Sequence, residues 1–369
     1  MILKNIDKVD VNDQNVHTQL KKIIKDLADG KEIEKEKLLF LLKTSSVNEL
    51  VYLEELANEI REKYYQKKVY MRCLIEFTNY CSKNCNYCGI RNKNLEVSRY
   101  RYSKEEIIEC CKEGYELGFR TFVLQGGEDP YFNDDRLVDI IKGIKEEFHD
   151  VALTLSVGER SKESYKNLYD AGCDRFLLRH ETASKRLYEH LHPKPMSFEN
   201  RMECLRNLKE WGFQTGCGFM VNSPSQTDED LLEDFIFIQN FQPEMCGIGP
   251  YVCHSKTPFK GNENGTINQV RFCVALVRLL VPNALLPATT ALATIDNSGR
   301  EIVLKSGANV IMLNLSPKDT RKDYEIYEGK VSFGDEEAHG KYLVESKINE
   351  IGFEMDMEIG NVKGWNDVY

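Results

Sequence analysis

The sequence lacks the features that would place the protein in a membrane or on a nucleic acid. No apolar run approaches the ~20 residues that a membrane-spanning helix needs, and the N-terminal sequence MILKNIDKVD has no signal-peptide core. Lys and Arg number 49 against 59 Asp and Glu, which gives a net charge of −10 without a basic stripe or block. We therefore predict a cytoplasmic protein with no nucleic-acid partner and no membrane partner.

Histidine and regularly spaced cysteine are also scarce. Nine of the 12 cysteines are scattered without CxxC spacing, as expected of reduced and mostly buried thiols in a reducing compartment. No histidine lies between Arg61 and Glu147, and no cysteine follows Cys273. We assign the nine scattered cysteines no role.

The three remaining cysteines have the spacing of a cofactor site. Cys81, Cys85 and Cys88 form CxxxCxxC directly after the apolar run Met71–Tyr80. Three thiolates can hold a 4Fe–4S cube and leave one iron open for the amino and carboxylate groups of S-adenosylmethionine (SAM). A structural zinc site is the alternative, but it needs a fourth Cys or His, which this region does not offer. Tyr87 favours the cluster, because an aromatic residue usually accompanies this loop.

Short apolar runs alternate with helical segments along most of the chain. Residues 13–66 carry apolar residues at helical spacing, which predicts about three helices outside the main body. Strands are predicted over residues 71–77, 121–125, 152–156, 175–178, 214–220, 245–250, 286–291 and 309–313, with helices between most of them. About eight alternating strands predict an α/β fold, a (β/α)8 TIM-type barrel, while a doubly wound sheet would show the same alternation. We expect an N-terminal helical extension (1–66), a barrel (67–330) and a C-terminal tail that closes the barrel (331–369).

Polar groups suited to a zwitterionic cofactor follow several predicted strands. In Gln125–Glu128 (QGGE), two glycines allow close backbone approach, and the carboxylate can accept hydrogen bonds from an ammonium group. Arg179–Glu181 (RHE) brings a cation and an anion to the barrel mouth, and Arg201 could bind a carboxylate bidentately. A plain turn, an exposed ion pair or a helix cap would explain each motif alone. Because parallel strands of a barrel end on one face, we expect one cavity to collect these groups.

Motifs from about Val69 to Lys330 together resemble one known family. They are CSKNCNYCGIRNKN, SRYRYSKEEI, LQGGEDPYF, LTLSVGE, DRFLLRHETA, MSFENR, GIGPYVCHSKTP, PATTALATI and GANVIMLNLSP. In this order and spacing they resemble HydE, the radical SAM maturases of FeFe-hydrogenase; biotin synthase and methylornithine synthase share the fold and some motifs.

The resemblance implies two cofactors, a 4Fe–4S cluster and SAM, and a set of site residues. It implies that Cys81, Cys85 and Cys88 bind the cluster. Residues implied for SAM are Tyr87, Gly127, Glu128, Thr154, Ser156, Arg179, Glu181 and Arg201. Residues implied for an internal anion and substrate site are Arg72, Gly126, Arg175, Thr289, Thr290 and Met312. Two inward arginines beside paired hydroxyls would trap an anion, unless they are paired with a carboxylate inside the barrel.

The resemblance also implies a reaction. SAM would be cleaved reductively to a 5'-deoxyadenosyl radical, which acts on a small anionic sulfur- or iron-containing substrate in hydrogenase cofactor assembly. Implied partners are that substrate, a reductase or a ferredoxin or flavodoxin as electron donor, and other hydrogenase maturases. The alternatives are an amino-acid mutase like methylornithine synthase and a non-catalytic iron–sulfur scaffold. A mutase needs an acidic anchor for an ammonium group, and the sequence shows no obvious one.

Three departures from the HydE pattern fall where substrate would be selected. Gly126 stands where these proteins usually carry Ser, and their MVGLPGQT is MVNSPSQT at Met220–Thr227. Asp319–Arg321 (DTR) replaces a Pro-Tyr-Arg. Some relatives bind an accessory cluster through cysteines after the barrel, and we expect that cluster to be absent because no cysteine follows Cys273.

Overall fold

A curled parallel sheet forms the centre of the protein. The computed structural model describes residues 2–9, 12–331 and 337–365. Its strands are β1 (Lys68–Thr78), β2 (Thr121–Gly126), β3 (Ala152–Ser156), β4 (Arg175–Leu177), β5 (Gln214–Val221), β6 (Met245–Pro250), β7 (Val310–Asn314) and β8 (Glu354–Asp356). The strands lie in the order β6-β5-β4-β3-β2-β1-β7, and β8 pairs with the start of β1. This arrangement confirms the predicted α/β barrel class.

The predicted strand over residues 286–291 is wrong. Leu285 makes a single parallel bridge to Met245 on β6, and Pro287 makes one to Val310 on β7. Pro287 has no N–H to donate to a ladder, which explains why no regular strand forms here. Residues 285–287 therefore connect β6 to β7 through single bridges, while β8 lies in the C-terminal tail.

Helices surround the sheet. Those that follow the N-terminal part are α4 (Lys104–Glu116), α5 (Asp134–Glu147), α6 (Lys162–Asp170), α7 (Lys185–Leu191), α8 (Phe198–Glu210), α9 (Asp228–Phe241), α10 (Ile267–Leu280), α11 (Thr290–Ile295), α12 (Gly299–Leu304), α13 (Lys318–Arg321) and α14 (Lys341–Glu350). Each connects one strand to the next or covers the outside of the barrel, as parallel pairing requires. In the part of the chain that the structure describes, no helix is long and apolar enough to cross a membrane.

Three helices precede β1 and pack on the outside of the barrel. They are α1 (Gln14–Ala28), α2 (Lys35–Thr44) and α3 (Val47–Tyr65). Ser46 and Glu49 form a capping box that starts α3. α3 packs against α10, and α2 packs against α9. The buried Arg61 of α3 donates to the backbone oxygens of Ala308 (2.9 Å) and Lys68 (3.0 Å), which ties this helix to the strand starts.

The tail contacts the N-terminal ends of the strands. The backbone oxygen of Ile359 accepts hydrogen bonds from Thr121 Oγ1 and Arg175 Nη2, both at 2.9 Å. Gln214 Oε1 accepts the backbone N–H of Val362 at 3.1 Å. Thr121, Arg175 and Gln214 are the first residues of β2, β4 and β5. The tail therefore lies across the end of the barrel opposite the cysteine motif, which follows the C-terminal end of β1.

Candidate active site

The three motif cysteines lie on one loop at the C-terminal end of β1. This loop is held in shape by Arg99, whose guanidinium donates to the backbone oxygens of Ile90 (2.8 Å), Arg91 (2.8 Å) and Asn94 (3.2 Å). The backbone N–H of Gly89 donates to Ile326 O at 2.8 Å, so the segment after β7 covers the loop. Arg99 and the segment after β7 thus hold the loop from two directions.

Cys81, Cys85 and Cys88 are partly buried. Burial raises the pKa of all three thiols, to about 12 for Cys85, and neighbouring thiolates raise the pKa values of Cys85 and Cys88 further. A site that disfavours three bare thiolates is suited to ligands that become charged only when a metal cation compensates them. Among the described residues, no three His, Cys, Asp or Glu side chains lie close enough together to hold a single metal ion. This does not conflict with a 4Fe–4S cube, because its three thiolates would each bind a different iron.

The Gly-Gly-Glu turn lies directly against the cysteine loop. A Cβ atom on Gly127 would lie 2.2 Å from Tyr80 O and 2.7 Å from Cys81 Cβ, so only glycine fits there. The backbone oxygen of Glu128 accepts the N–H of Ser82 at 2.9 Å. Glu128, which the sequence predicts as the ligand of the SAM amino group, is therefore placed beside the cysteines.

Cations surround the carboxylate of Glu128. Lys83 Nζ lies 3.2 Å from Glu128 and 3.6 Å from Glu159, and Arg201 lies 3.7 Å from Glu128. Burial raises the pKa of Glu128, while Arg201 and Lys83 lower it. Arg201 also binds Glu159 Oε1 at 2.7 Å and Arg179 O at 2.6 Å. Lys83 and Glu159 are members of this site that the sequence analysis missed.

The Arg-His-Glu motif carries buried polar atoms that could bind a ligand. Glu181 has a φ of 65°, an uncommon value for a non-glycine residue and typical of functional sites. Arg179 Nη2 and Glu181 Oε2 lie 3.2 Å apart without hydrogen-bond alignment, and these two buried atoms and Arg179 Nε have no hydrogen-bond partner in the described chain. An ammonium and a carboxylate would satisfy them. The residues present therefore fit the amino-acid part of SAM.

The two residues of β3 predicted to bind SAM lie at different depths. Ser156 ends β3 and pairs in register with Gln125. Thr154 lies one layer deeper, where its hydroxyl has no hydrogen-bond partner among the described residues. Thr154 lines an internal cavity, whereas Ser156 lies near the barrel mouth.

The internal cavity is small and cationic. Its lining includes Arg72, Thr154, Met245 and Met312, and its volume is about 20 Å³, roughly that of one water site. Arg72 Nη1 contacts Met245 Sδ at 3.1 Å, while Nε and Nη2 have no hydrogen-bond partner in the described chain. Burial and the nearby Arg175 lower the pKa of Arg72. A small anion would satisfy these N–H groups.

Three other predicted substrate residues are placed outside this cavity. Arg175 donates from Nη2 to Asn361 Oδ1 at 2.6 Å, besides its bond to Ile359. Thr289 Oγ1 lies beside Gly249, where a Cβ would approach it to 3.0 Å. Thr290 Oγ1 lies 3.5 Å from Arg300 Nη2. Arg175 thus binds the tail in this structure. Of the two arginines expected to bind an anion, Arg72 lines the cavity and Arg175 does not.

A carboxylate that the sequence analysis missed lies inside the barrel. Glu76 lies on the same inward face of β1 as Arg72, four residues further along the strand, and is fully buried. Lys330 Nζ lies 2.7 Å from Glu76 Oε1, and Asn314 Nδ2 donates to Oε2 at 2.8 Å. Glu76 and Lys330 lie 254 residues apart, and no local pattern announces such a pair.

Gly126, the first departure from the HydE pattern, has a local reason. A Cβ on Gly126 would lie 2.6 Å from Thr78 Cγ2. The Thr78 hydroxyl in turn donates to Asp129 at 2.8 Å. A serine at position 126 would therefore clash with the Thr78 methyl group on the neighbouring strand.

Tyr87 lies against helix α7. Its hydroxyl is 3.1 Å from His192 Nε2, and its ring packs near Leu187 and Leu191. Burial raises its pKa. This contact was not predicted, because the sequence pattern indicates no helix at α7.

The chain is similar in sequence and in fold to several known proteins. The sequence profile described as "Radical SAM superfamily" matches residues 75–238. The chain is 47% identical over 279 residues to "[FeFe] hydrogenase maturase subunit HydE" of Thermotoga maritima, covering 76% of this chain and 79% of that protein. It is 30% identical to "3-methylornithine synthase" of Methanosarcina acetivorans, covering 80% and 83% of the two chains. The solved structure of methylornithine synthase (PylB) has the same fold, with a TM-score of 0.79 at 24% identity over 90% of this chain and 97% of that one.

Proposed function

The chain belongs to the HydE family of radical SAM enzymes, and from that premise we propose that it acts in assembly of the FeFe-hydrogenase cofactor on a small anionic sulfur- or iron-containing substrate. Cys81, Cys85 and Cys88 would hold a 4Fe–4S cluster. When bound, the cluster and SAM supply one-electron reductive cleavage, which yields a 5'-deoxyadenosyl radical. The electron would come from a reductase or from a ferredoxin or flavodoxin, and other hydrogenase maturases would be partners.

One observation carries this proposal. The cysteine loop, the Glu128 turn and the Arg179–Glu181 motif meet at one end of the barrel, where Arg179 Nη2 and Glu181 Oε2 form an ion pair but have no hydrogen-bond partner in the described chain. Glu128 and Glu181 would hold an ammonium, and Arg179 would hold a carboxylate. Thr154, which lines the cavity beside Arg72, and Ser156, at the end of β3, would contact SAM, and Arg72 would hold the anionic substrate below it.

An amino-acid mutase is the second candidate, because Glu76 supplies the inward carboxylate that an ammonium anchor requires. Both of its oxygens are already engaged, by Lys330 and by Asn314. Binding a substrate ammonium would require displacement of a buried ion pair, which costs free energy. Arg72, by contrast, offers N–H groups with no hydrogen-bond partner in the described chain. The geometry therefore favours an anionic substrate.

The test is anaerobic SAM cleavage by the reconstituted protein with dithionite, followed as 5'-deoxyadenosine. We expect cleavage that depends on the three cysteines and rises with a low-molecular-weight thiol or a cysteine-bound iron complex. Glu181→Gln should raise KM for SAM about tenfold or more, equivalent to ~1.4 kcal/mol. Glu199→Gln is the matched control, since Glu199 is exposed and pairs with Lys185. A full cluster without any SAM cleavage would refute the enzyme and indicate a scaffold.

A further inference from the structure

The carboxylate of Glu128 has a cation near each of its two oxygens. Lys83 Nζ lies 3.2 Å from Oε2, and Arg201 Nη2 lies 3.7 Å from Oε1. The Glu128 side chain is only 16% exposed, so these cations occupy most of its surroundings. A carboxylate can accept several hydrogen bonds, but two cations beside it repel a third. We therefore expect an ammonium group that binds Glu128 to displace one of the two cations.

Arg201 is the more firmly held of the two cations. Its guanidinium donates to Glu159 Oε1 at 2.7 Å and to Arg179 O at 2.6 Å. The Arg201 side chain is 7% exposed, and that of Glu159 is 8% exposed. Moving Arg201 would break two buried hydrogen bonds and take the nearest cation away from Glu159, which is costly. Arg201 therefore stays in place when a ligand binds.

The side chain of Lys83 can move at lower cost. It is 28% exposed, and its Nζ also lies 3.6 Å from Glu159 Oε2. Because Nζ is already near both carboxylates, a small rotation of the flexible lysine stem carries it from Glu128 to Glu159 and keeps it in an ion pair. The Lys83 backbone is held separately, since its N–H donates to Cys81 Sγ at 3.4 Å and its oxygen accepts the N–H of Asn92 at 2.8 Å. The side chain can therefore shift while the cysteine loop keeps its shape.

We propose that Lys83 is an internal competitor of the SAM amino group: its Nζ takes the ammonium position at Glu128 and moves to Glu159 when SAM binds. The exchange conserves charge, because one alkylammonium group replaces another at the same carboxylate. Lys83 therefore lowers the affinity of the site for ligands that carry an amino group, and it does not affect ligands without one. The inference rests on the proposed function in that Glu128 binds the SAM ammonium.

The test compares the binding of two unreactive ligands to anaerobically reconstituted protein by isothermal titration calorimetry. S-adenosylhomocysteine carries the amino and carboxylate groups, whereas 5'-methylthioadenosine has the same nucleoside and a thioether without them. We expect Lys83→Met to lower the Kd for S-adenosylhomocysteine about two- to fivefold, the range of a partly exposed ion pair. The Kd for 5'-methylthioadenosine should not change. Lys83→Arg keeps a cation beside Glu128, so both Kd values should stay within about twofold of wild type.

Lys93→Met is the matched control, because Lys93 is an exposed lysine of the same loop, and it should change neither Kd. Lys83→Gln, which also lacks the charge, replaces Lys83→Met if that variant takes up less iron. An unchanged or higher Kd for S-adenosylhomocysteine would overturn the inference, and so would an equal change for both ligands. Wild-type protein that binds S-adenosylhomocysteine no more tightly than 5'-methylthioadenosine would refute the proposed function together with this inference. A wild-type preference for S-adenosylhomocysteine that removal of the Lys83 charge does not increase would refute only the inference.

Discussion

At the scale of single residues, the methyl group of Thr78 occupies the space that a side chain at position 126 would need. Introducing the serine that is usual in the family, Gly126→Ser, would bring a Cβ to 2.6 Å from Thr78 Cγ2. We expect a loss of about 1–3 kcal/mol in the free energy of unfolding, typical of overpacking. Thr78→Ser removes only this methyl and keeps the hydroxyl that binds Asp129, so the double variant should recover most of the loss. Denaturant unfolding measures both, and equal losses in the single and double variants would refute the coupling.

The loop at Met220–Thr227 departs from the family in a second way. Asn222 and Ser225 stand where two glycines of MVGLPGQT would be, and both have positive φ, 63° and 67°. Asn tolerates this left-handed conformation better than most residues, while Ser is strained there. Gln226 compensates by bonding to Met220 O at 3.0 Å and to the N–H of Ser223 at 3.1 Å. The backbone shape of the loop is thus kept without its glycines.

Site residues could be predicted where the chemistry lies in consecutive residues. The cysteine motif and the Gly-Gly-Glu turn have fixed short spacings, and a strand end brings each to the same end of the barrel. Glu76 and Lys330 could not be predicted, because their contact depends on the path of the chain after β7. Arg175 was predicted to face substrate, but the acceptors that hold it, Ile359 and Asn361, lie in a tail whose course no local pattern indicates.

At the scale of elements, the sequence predicted the bounds of some buried strands correctly. It did not predict the irregular segment between β6 and β7. Strands β3 and β6 begin and end where their apolar runs do. The run at 286–291 was predicted on the same grounds, but its proline, Pro287, and the start of α11 at Thr290 prevent a ladder. Helix α7 was missed because seven residues give too few turns for a helical period to show.

Lys330, in the segment after β7, forms a buried ion pair with Glu76 inside the barrel. Lys330→Met would leave Glu76 as a buried charge with Asn314 alone, and breaking such a pair costs about 3–5 kcal/mol. Glu76→Gln combined with Lys330→Met removes both charges, so we expect a clearly smaller loss. Lys256→Met is the control, since its pair with Glu96 is exposed and should be worth under about 1 kcal/mol. Chemical denaturation of the three variants tests this order, and a double variant as unstable as Lys330→Met would contradict it.

At the scale of the whole molecule, the two ends of the barrel carry different features. The C-terminal ends of the strands hold the cysteines and the charged cofactor site, while the tail residues 354–362 cross the N-terminal ends. Arg72 and its cavity lie between these ends. Because tail residues bond to the first residues of β2, β4 and β5, we predict that substrate and cofactor share one entrance, on the cysteine side. A shared entrance keeps water away from a reactive radical once the cofactor fills it.

The tail should therefore protect one end of the barrel specifically. Asn361→Ala removes the oxygen that accepts from Arg175 Nη2 (2.6 Å) and from Gln214 Nε2 (2.8 Å). Each buried donor that loses its acceptor destabilises the folded state by about 1–3 kcal/mol, and by more when the donor is charged. The free energy of local opening at this end should therefore fall. We expect faster amide hydrogen exchange at the starts of β2, β4 and β5, with unchanged exchange in the cysteine loop. Asn349→Ala, at an exposed position of α14, should change neither region. Exchange that rose equally at both ends would show that the tail stabilises the barrel as a whole and does not seal one end.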